Sequence, residues 1–343
     1  MTDRFSKKNP TIQDIARISG LSTATVDRVL NQRPGVRENT RQRVEEALRQ
    51  FSVQQNSGQQ MKIAFVLEAG TSYIELVKSA LESVKTGYPA ITTTFDSVPN
   101  YQRDAQAFSQ LLKQRVSESD AVVLVSREDV QVNSEVRSAG ASGVPVICLS
   151  TDLPHSAAYV GVDEVSAGAN AALLMGKMLP VKAAKVLFVV SATYRNQEER
   201  EMGFRRVMRN EFPHLEIQEK ISSNDESAET YKLIKKYLQD NRDIAAVYNV
   251  AGGNRGIARA LAEEKLAGKV IFIAHELTEH SQRMLEQDEV NVIFGHDSER
   301  EIEGCFTLAL RLVKGQPARS SYMPLLMFTK YSRFDLPSPA DNE

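Results

Sequence analysis

Thr11–Phe51 reads TIQDIARISGLSTATVDRVLNQRPGVRENTRQRVEEALRQF, three amphipathic helical patterns separated by turn signals within about forty residues. In the first pattern Ile12, Ile15, Ala16 and Ser19 fall on one side at helical spacing, Thr11 and Asp14 are placed as a capping box, and Gly20 ends the run. Ser22 is positioned to cap a second helix, in which Val26, Val29 and Leu30 share one face while Thr23, Ala24, Asp27, Arg28 and Asn31 share the other. A third pattern, Val44, Ala47, Leu48 and Phe51, supplies the apolar surface that closes a small core over the first two.

A helix, a glycine turn and a second helix with a free face of short polar side chains have the layout of a helix-turn-helix, whose second helix enters the DNA major groove. The same periodicity also suits a protein-interaction module. Charge favours DNA mildly: residues 1–60 hold 10 Lys/Arg against 6 Asp/Glu, whereas the remainder holds 32 against 38.

The stretch TIQDIARISGLSTATVDRVLNQRPGVRENTRQRV resembles, without a gap, the N-terminal headpiece of the lactose-repressor (LacI/GalR) family of bacterial transcription regulators. The resemblance implies base reading by Thr23, Ala24 and Arg28. An arginine there can bond bidentately to guanine, and a threonine or alanine methyl can meet a thymine methyl. It implies phosphate-contacting or helix-capping roles for Ser22, Thr25, Asn31, Arg37 and Thr40, and Thr11 is grouped with them; such contacts fix register and not sequence. Asp27 stands where the family usually has serine and is expected to pair with a neighbouring arginine, since a carboxylate beside phosphates is repelled unless it accepts from cytosine N4. Arg37 replaces a capping serine, which weakens a cap and adds a cation beside the backbone.

Outward from this head, the 343-residue chain has 42% hydrophobic and 25% charged residues, an ordinary globular composition. Residues 1–10 contain no apolar h-region, and no run approaches the roughly 18 apolar residues of a membrane span, so a cytoplasmic protein with no membrane partner is expected. Cys148 and Cys305 sit in apolar contexts and read as buried thiols. The stretch at 52–60, SVQQNSGQQ, reads as a linker. It lacks the proline and leucine of the family's hinge helix and leaves Val53 as the one apolar wedge for a minor groove.

From Met61 on, short apolar strands such as KIAFVL, DAVVLVS, VPVICLS, KVLFVVS, IAAVYNV and VIFIAHE alternate with helical stretches. The fold class expected is α/β: an all-α headpiece (1–51) and linker (52–60), then two doubly wound α/β lobes with chain crossings between them (61–332) and a tail (333–343). Ligands on such sheets sit beyond the carboxyl ends of the strands. That rule nominates Glu68, Tyr73, Asp96, Ser126, Asp152, Asp163, Tyr194, Arg200, Asn249 and Glu276.

The body also resembles the periplasmic-sugar-binding-protein-like effector domain of the same family. YVGVDEVSAG places a hydroxyl-binding acid on Asp163, QEEREMGF places a cleft arginine on Arg200, FIAHEL places a second acid on Glu276, and Asn249 is a looser match. With Tyr73, Asp96 and Asp152 these make the expected effector site. The resemblance implies a homodimeric repressor on operator DNA whose affinity is set by a sugar, polyol or related effector, with no cofactor, metal or catalysis. Ala251, Gly253 and Gly256 followed by Glu276 imitate a dinucleotide fingerprint and would suit an NAD enzyme, but the first position is alanine and the turn comes late in the chain. In HELTEH, His275 and His280 are about 140° apart on a helix, too far round to share a zinc ion. No nucleophile elbow or phosphate loop is visible. A transport receptor would share the body but not the head.

Overall fold

The computed structural model describes residues 11–31, 36–37, 40–41, 43–44, 47, 60–218, 220–223 and 225–333. Leu48, Phe51, Val53 and all of the linker except Gln60 lie outside the described residues, as does the tail from 334 on.

The head begins with α1 (Ile12–Ser19) and α2 (Thr23–Leu30). The capping box forms at Thr11 and Asp14, Gly20 adopts φ 64° at the end of α1, and Ser22 accepts from the Thr25 amide. Ile15, Ala16 and Val26 bury against Val44 and Ala47 of the third helical segment, with Val29 part-buried beside them. Leu30, expected on the packed face, is 42% exposed because α2 ends there and rotates it past the small core. Arg43 ties the third segment to the first by donating to Ser19 O at 2.7 Å.

The first lobe is built from β1 (Met61–Ala69), α3 (Thr71–Lys85), β2 (Ile91–Pro99), α4 (Ala105–Glu118), β3 (Ala121–Val125), α5 (Val130–Ala141), β4 (Val146–Leu149) and β5 (Ala158–Gly161). The second comprises α6 (Glu164–Met178), β6 (Ala184–Val190), α7 (Arg195–Glu211), β7 (Leu215–Ile217), β8 (Ile221–Ser222), α8 (Ser227–Asp240), β9 (Ile244–Asn249), α9 (Asn254–Glu263), β10 (Ile271–His275), α10 (Glu279–Glu286) and β11 (Val292–Gly295). The chain then returns to the first lobe for α11 (Ser298–Val313) and β12 (Ser321–Tyr322), and crosses once more to place β13 (Leu326–Phe328) in the second. The two sheets run β12-β5-β4-β3-β1-β2 and β13-β11-β10-β9-β6-β7, with β8 also paired to β6. All pairings are parallel except β11 with β13.

Strands buried on both faces explain the continuous apolar runs of the sequence. In β1 the side chains of Ile63, Phe65 and Leu67 enter one core with α3 and α11, while Ala64 and Val66 enter the other with α4 and α5. β7 and β8 are short strands, both paired to β6, and the last two short strands, β12 and β13, are divided between the sheets. Both cysteines are buried free thiols. No helix among the described residues is long and apolar enough to cross a membrane.

Candidate functional site

The carboxyl ends of β1, β2 and β4 face those of β6, β9 and β10, and loops from both lobes enclose a cavity of about 550 Å³. The first lobe contributes Gly70, Tyr73, Asn100, Ser150 and Thr151; the second contributes Tyr194, Gln197, Arg200, Asp225, Gly252 and Glu276. That volume suits a small-molecule ligand.

Arg200 lies on α7 at the cavity floor, 3% exposed, and donates to both oxygens of Glu164 at 2.6 and 2.8 Å and to Val250 O at 3.1 Å. Burial opposes the guanidinium charge, but Glu164 more than offsets it and holds the group above its ordinary range. Burial pushes the Glu164 carboxyl up against the pull of Arg200. Two glycines allow α6 and α7 to approach closely enough for this pair. A Cβ at Gly168 would collide with Arg200 O, and one at Gly203 with Val165 O.

Glu276 follows β10 in the left-handed region, φ 71°, and its backbone N–H donates to Phe294 O at 2.7 Å. The residue lines the cavity; its carboxylate makes no hydrogen bond with any described residue, and burial raises it above the ordinary carboxylate range despite Arg200. Asp225 accepts from the Gly252 amide at 2.6 Å and from Asn100 Nδ2 of the opposite lobe. Burial raises this carboxyl too.

The lobes meet through bonds that cross the cavity mouth. Besides Asn100 to Asp225, Tyr194 Oη donates to Glu68 O at 3.1 Å, and the Arg127 guanidinium lies 5.6 Å over the Tyr194 ring. Glu68 is fully buried between Arg127, Arg103 at 2.9 Å and Ser126. Behind the cavity, His296 Nδ1 lies 2.7 Å from Glu301 Oε2, and the Tyr73 ring lies 6.1 Å from the imidazole. Burial disfavours a charged His296, yet Glu301 prevails and raises the group to about 9.

Of the seven effector candidates, the structure brings Tyr73, Arg200 and Glu276 together at the cavity and leaves Asp96, Asp152, Asp163 and Asn249 off its lining. Asp96 pairs with Arg115 of α4 at 2.6 and 2.8 Å. The left-handed backbone of Ser150, φ 62°, precedes a loop in which Ser150 and Thr151 line the cavity. Asp152 caps its own turn, accepting from Leu153 N at 2.9 Å and Ser156 Oγ at 2.8 Å. Asp163 is the exposed N-cap of α6; hydrogen bonds from Ser166 hold its carboxyl below the ordinary range, and the inward acid is its neighbour Glu164. Asn249 is fully buried and braces the 249–254 loop through bonds to Ala251 O, Gly252 O and Asn254 Oδ1.

The fingerprint-like glycines have a packing explanation. A Cβ at Gly253 would collide with Thr230, and one at Gly256 with Ser227 O, so α9 lies directly on α8. His275 is bonded to Tyr248 Oη at 2.8 Å within the core.

On the head, Thr23, Ala24 and Arg28 are exposed on one side of α2. Asn31 donates to Asp27 O at 3.0 Å and Oδ1 at 2.8 Å, engaging that carboxylate within its own helix. Arg37 is exposed and its carbonyl accepts from Thr40 N and Arg41 N, so its backbone starts the third helical segment; Thr40 is part-buried. Ser22 and Thr25 share a 2.8 Å hydroxyl contact.

A two-lobed ligand-cleft body joined to a helix-turn-helix head defines the class. Residues 63–317 match the family described as "Periplasmic binding protein domain" and residues 11–56 match "Bacterial regulatory proteins, lacI family". The chain belongs to the lacI family of bacterial regulatory proteins, with a periplasmic-binding-protein domain as its body.

Among its relatives is catabolite control protein A of Streptococcus mutans, 24% identical over 177 residues, 49% of this chain and 51% of the relative. Another is the ABC transporter periplasmic-binding protein YphF of Escherichia coli, 22% identical over 227 residues, 62% of this chain and 68% of the relative. The chain thus spans about half the length of the first. A carbohydrate transporter solute binding protein of Agrobacterium radiobacter in complex with D-arabinose superimposes with TM-score 0.73 at 17% identity, covering 80% of this chain and 96% of that one. GanP, a glucose-galactose binding protein of Geobacillus stearothermophilus, superimposes with TM-score 0.70 at 17% identity, covering 82% and 100%. These likenesses establish the fold of the body.

Proposed function

We propose that this chain is a sequence-specific DNA-binding transcription regulator, acting in the cytoplasm as a repressor. A homodimer binds a pseudo-palindromic operator, and a small-molecule effector of the sugar or polyol class, held between the lobes, controls operator affinity. The observation that carries the reading is a polar, ligand-sized cavity spanned by lobe-to-lobe bonds in a chain whose head exposes Thr23, Ala24 and Arg28 on one helix face. Arg28 reads a guanine edge, Thr23 and Ala24 meet a neighbouring base, and Ser22, Thr25, Arg37 and Thr40 fix the phosphates. In the body, Tyr73, Thr151, Asp225 and Glu276 bind the effector and Arg200 supports the floor.

The mechanism is linkage: an effector that favours one arrangement of the lobes shifts the pair of heads toward or away from the half-site spacing. The work is binding and not catalysis, with no cofactor involved.

The test is selection and sequencing of genomic DNA fragments retained by the full chain at about 150 mM salt, where non-specific phosphate binding is weakened. Recovery of a palindrome is expected, and sugars or polyols should then shift its affinity. Retention without sequence preference would overturn the DNA-reading assignment.

A further inference from the structure

Resting on that reading of the cleft as an effector site, we propose that its ligand carries a protonated amine. It is a monocationic amino sugar, aminodeoxyalditol or aminocyclitol whose ammonium is taken by Glu276 and Asp225 and whose hydroxyls meet Tyr73 and Thr151.

The charges around the cavity require such a group. The cations of the cavity floor and of the lobe contacts behind it already have carboxylates. Arg200 is held by Glu164 at 2.6 and 2.8 Å, and His296 by Glu301 at 2.7 Å. Arg127 is bonded to Glu68, and Arg103 lies 2.9 Å from Glu68 and 3.4 Å from Asp129. Glu276 and Asp225 remain as two carboxylates on one cavity wall with no cation of their own among the described residues. The rim repeats the imbalance, with Glu75 and Glu226 against Arg255.

Asp225 has only neutral donors, the Gly252 amide, Asn100 and the Ser191 side chain, and the Glu276 carboxylate has none among the described residues. A carboxylate shielded from bulk water takes up either a proton or a counter-ion, because its charge is costly to leave uncompensated. Burial does push both carboxyls up, outweighing the pull of Arg200 and His296 on Glu276 and of Arg127 on Asp225, cations already held by other carboxylates. A neutral sugar could donate hydroxyls to these oxygens but would leave the charge uncompensated, and a sugar acid or phosphate would be repelled.

A second, independent observation points to a polar ligand. Tyr73 is 6% and Thr151 1% exposed, both line the cavity, and Tyr73 Oη and Thr151 Oγ1 have no hydrogen-bond partner among the described residues. Buried polar atoms without partners are uncommon, and here two lie against one ligand-sized space.

The test measures binding of matched pairs to the full chain at pH 7 by titration calorimetry and thermal shift. The pairs are D-glucosamine with D-glucose, D-galactosamine with D-galactose, 1-amino-1-deoxy-D-sorbitol with D-sorbitol, and an aminodeoxyinositol with its inositol; D-glucuronate is included as an anion. In at least one pair the amine member should bind about tenfold to a hundredfold tighter, the range for a charge-assisted over a neutral hydrogen bond. Glu276→Gln should abolish that preference, and Asp225→Asn should reduce it, giving a second readout if the first variant folds poorly.

Tighter binding of neutral members, or of glucuronate, would overturn the amine proposal while leaving a sugar or polyol effector in place. No binding by any member of the panel would overturn both. The pairwise preference of the unmodified chain decides the matter without either variant.

Discussion

Replacing Arg200 with alanine should unfold the body more readily than any surface change. Glu164 and Arg200 are 2% and 3% exposed and share bonds of 2.6 and 2.8 Å, so the substitution leaves a carboxylate buried with neither donor. Breaking a buried pair from one side costs roughly 3–5 kcal/mol, whereas exchanging both partners for apolar groups of similar volume is often nearly neutral. At about 2–4 °C per kcal/mol for a body of this size, the midpoint should fall by roughly 6–20 °C. The assay is thermal unfolding of the full chain followed by circular dichroism at pH 7, for Arg200→Ala, Glu164→Gln and the double variant Glu164→Leu with Arg200→Met. The double variant should recover most of the loss. The deficit of Arg200→Ala should also shrink as pH falls toward about 4.5, because the stranded Glu164 then takes a proton in the folded chain. A fall of less than about 2 °C in Arg200→Ala, or a double variant as unstable as the single, would refute the reasoning that an uncompensated charge dominates.

Arg28→Ala should weaken operator binding by about 1–3 kcal/mol with little change on scrambled DNA in a gel-shift titration; equal losses on both would reduce Arg28 to a phosphate contact. His296 is raised from 6.5 to about 9, so its stabilisation is fully present below pH 6.5 and is lost as pH rises through about 9. The stability advantage over His296→Gln, read from urea unfolding, should therefore shrink across that window, and a constant difference would contradict it. Tyr194→Phe removes the hydroxyl that donates to Glu68 O from the opposite lobe. It should favour the open body by about 1 kcal/mol, visible as a larger radius of gyration in small-angle scattering, and an unchanged radius would remove that bond from lobe closure.

The alternation of apolar strands and helices was legible because both faces of each sheet are covered, which leaves continuous runs such as AVVLV at 121–125. The head was legible for the opposite reason: its caps are local, and Thr11, Asp14, Gly20 and Ser22 settle α1 and α2 without help from distant residues. The cavity was legible only in part. Tyr73, Arg200 and Glu276 follow from strand ends and motif likeness, whereas Asp163, nominated on the same grounds, is an exposed N-cap off the cavity lining and its neighbour Glu164 is the buried acid. Helix periodicity contained the correction: Glu164, Gly168, Ala171 and Met175 share the buried side of α6, so an acid in that register faces inward while the N-cap before it faces solvent. Asp225 and Asn100 carried no such signal. Each belongs to a connecting segment, and their meeting across 125 positions depends on how the lobes close.

The same charges that shape the cavity also sit at the crossings between lobes, which links binding to shape. Glu164 is the first residue of α6, directly after the chain has left the first lobe, and His296 lies on the return path just before α11. Arg200 holds the first crossing through Glu164, and Glu301 holds the second through His296. Glu276 interacts electrostatically with Arg200, His296 and Glu164, so on the amine proposal a ligand cation at Glu276 would alter the balance at both crossings at once. A neutral ligand of the same shape touches the walls but leaves that balance unchanged. On that proposal the charge of the effector, and not only its fit, would set how strongly the lobes are driven together, and coupling to the head would begin at those two crossings.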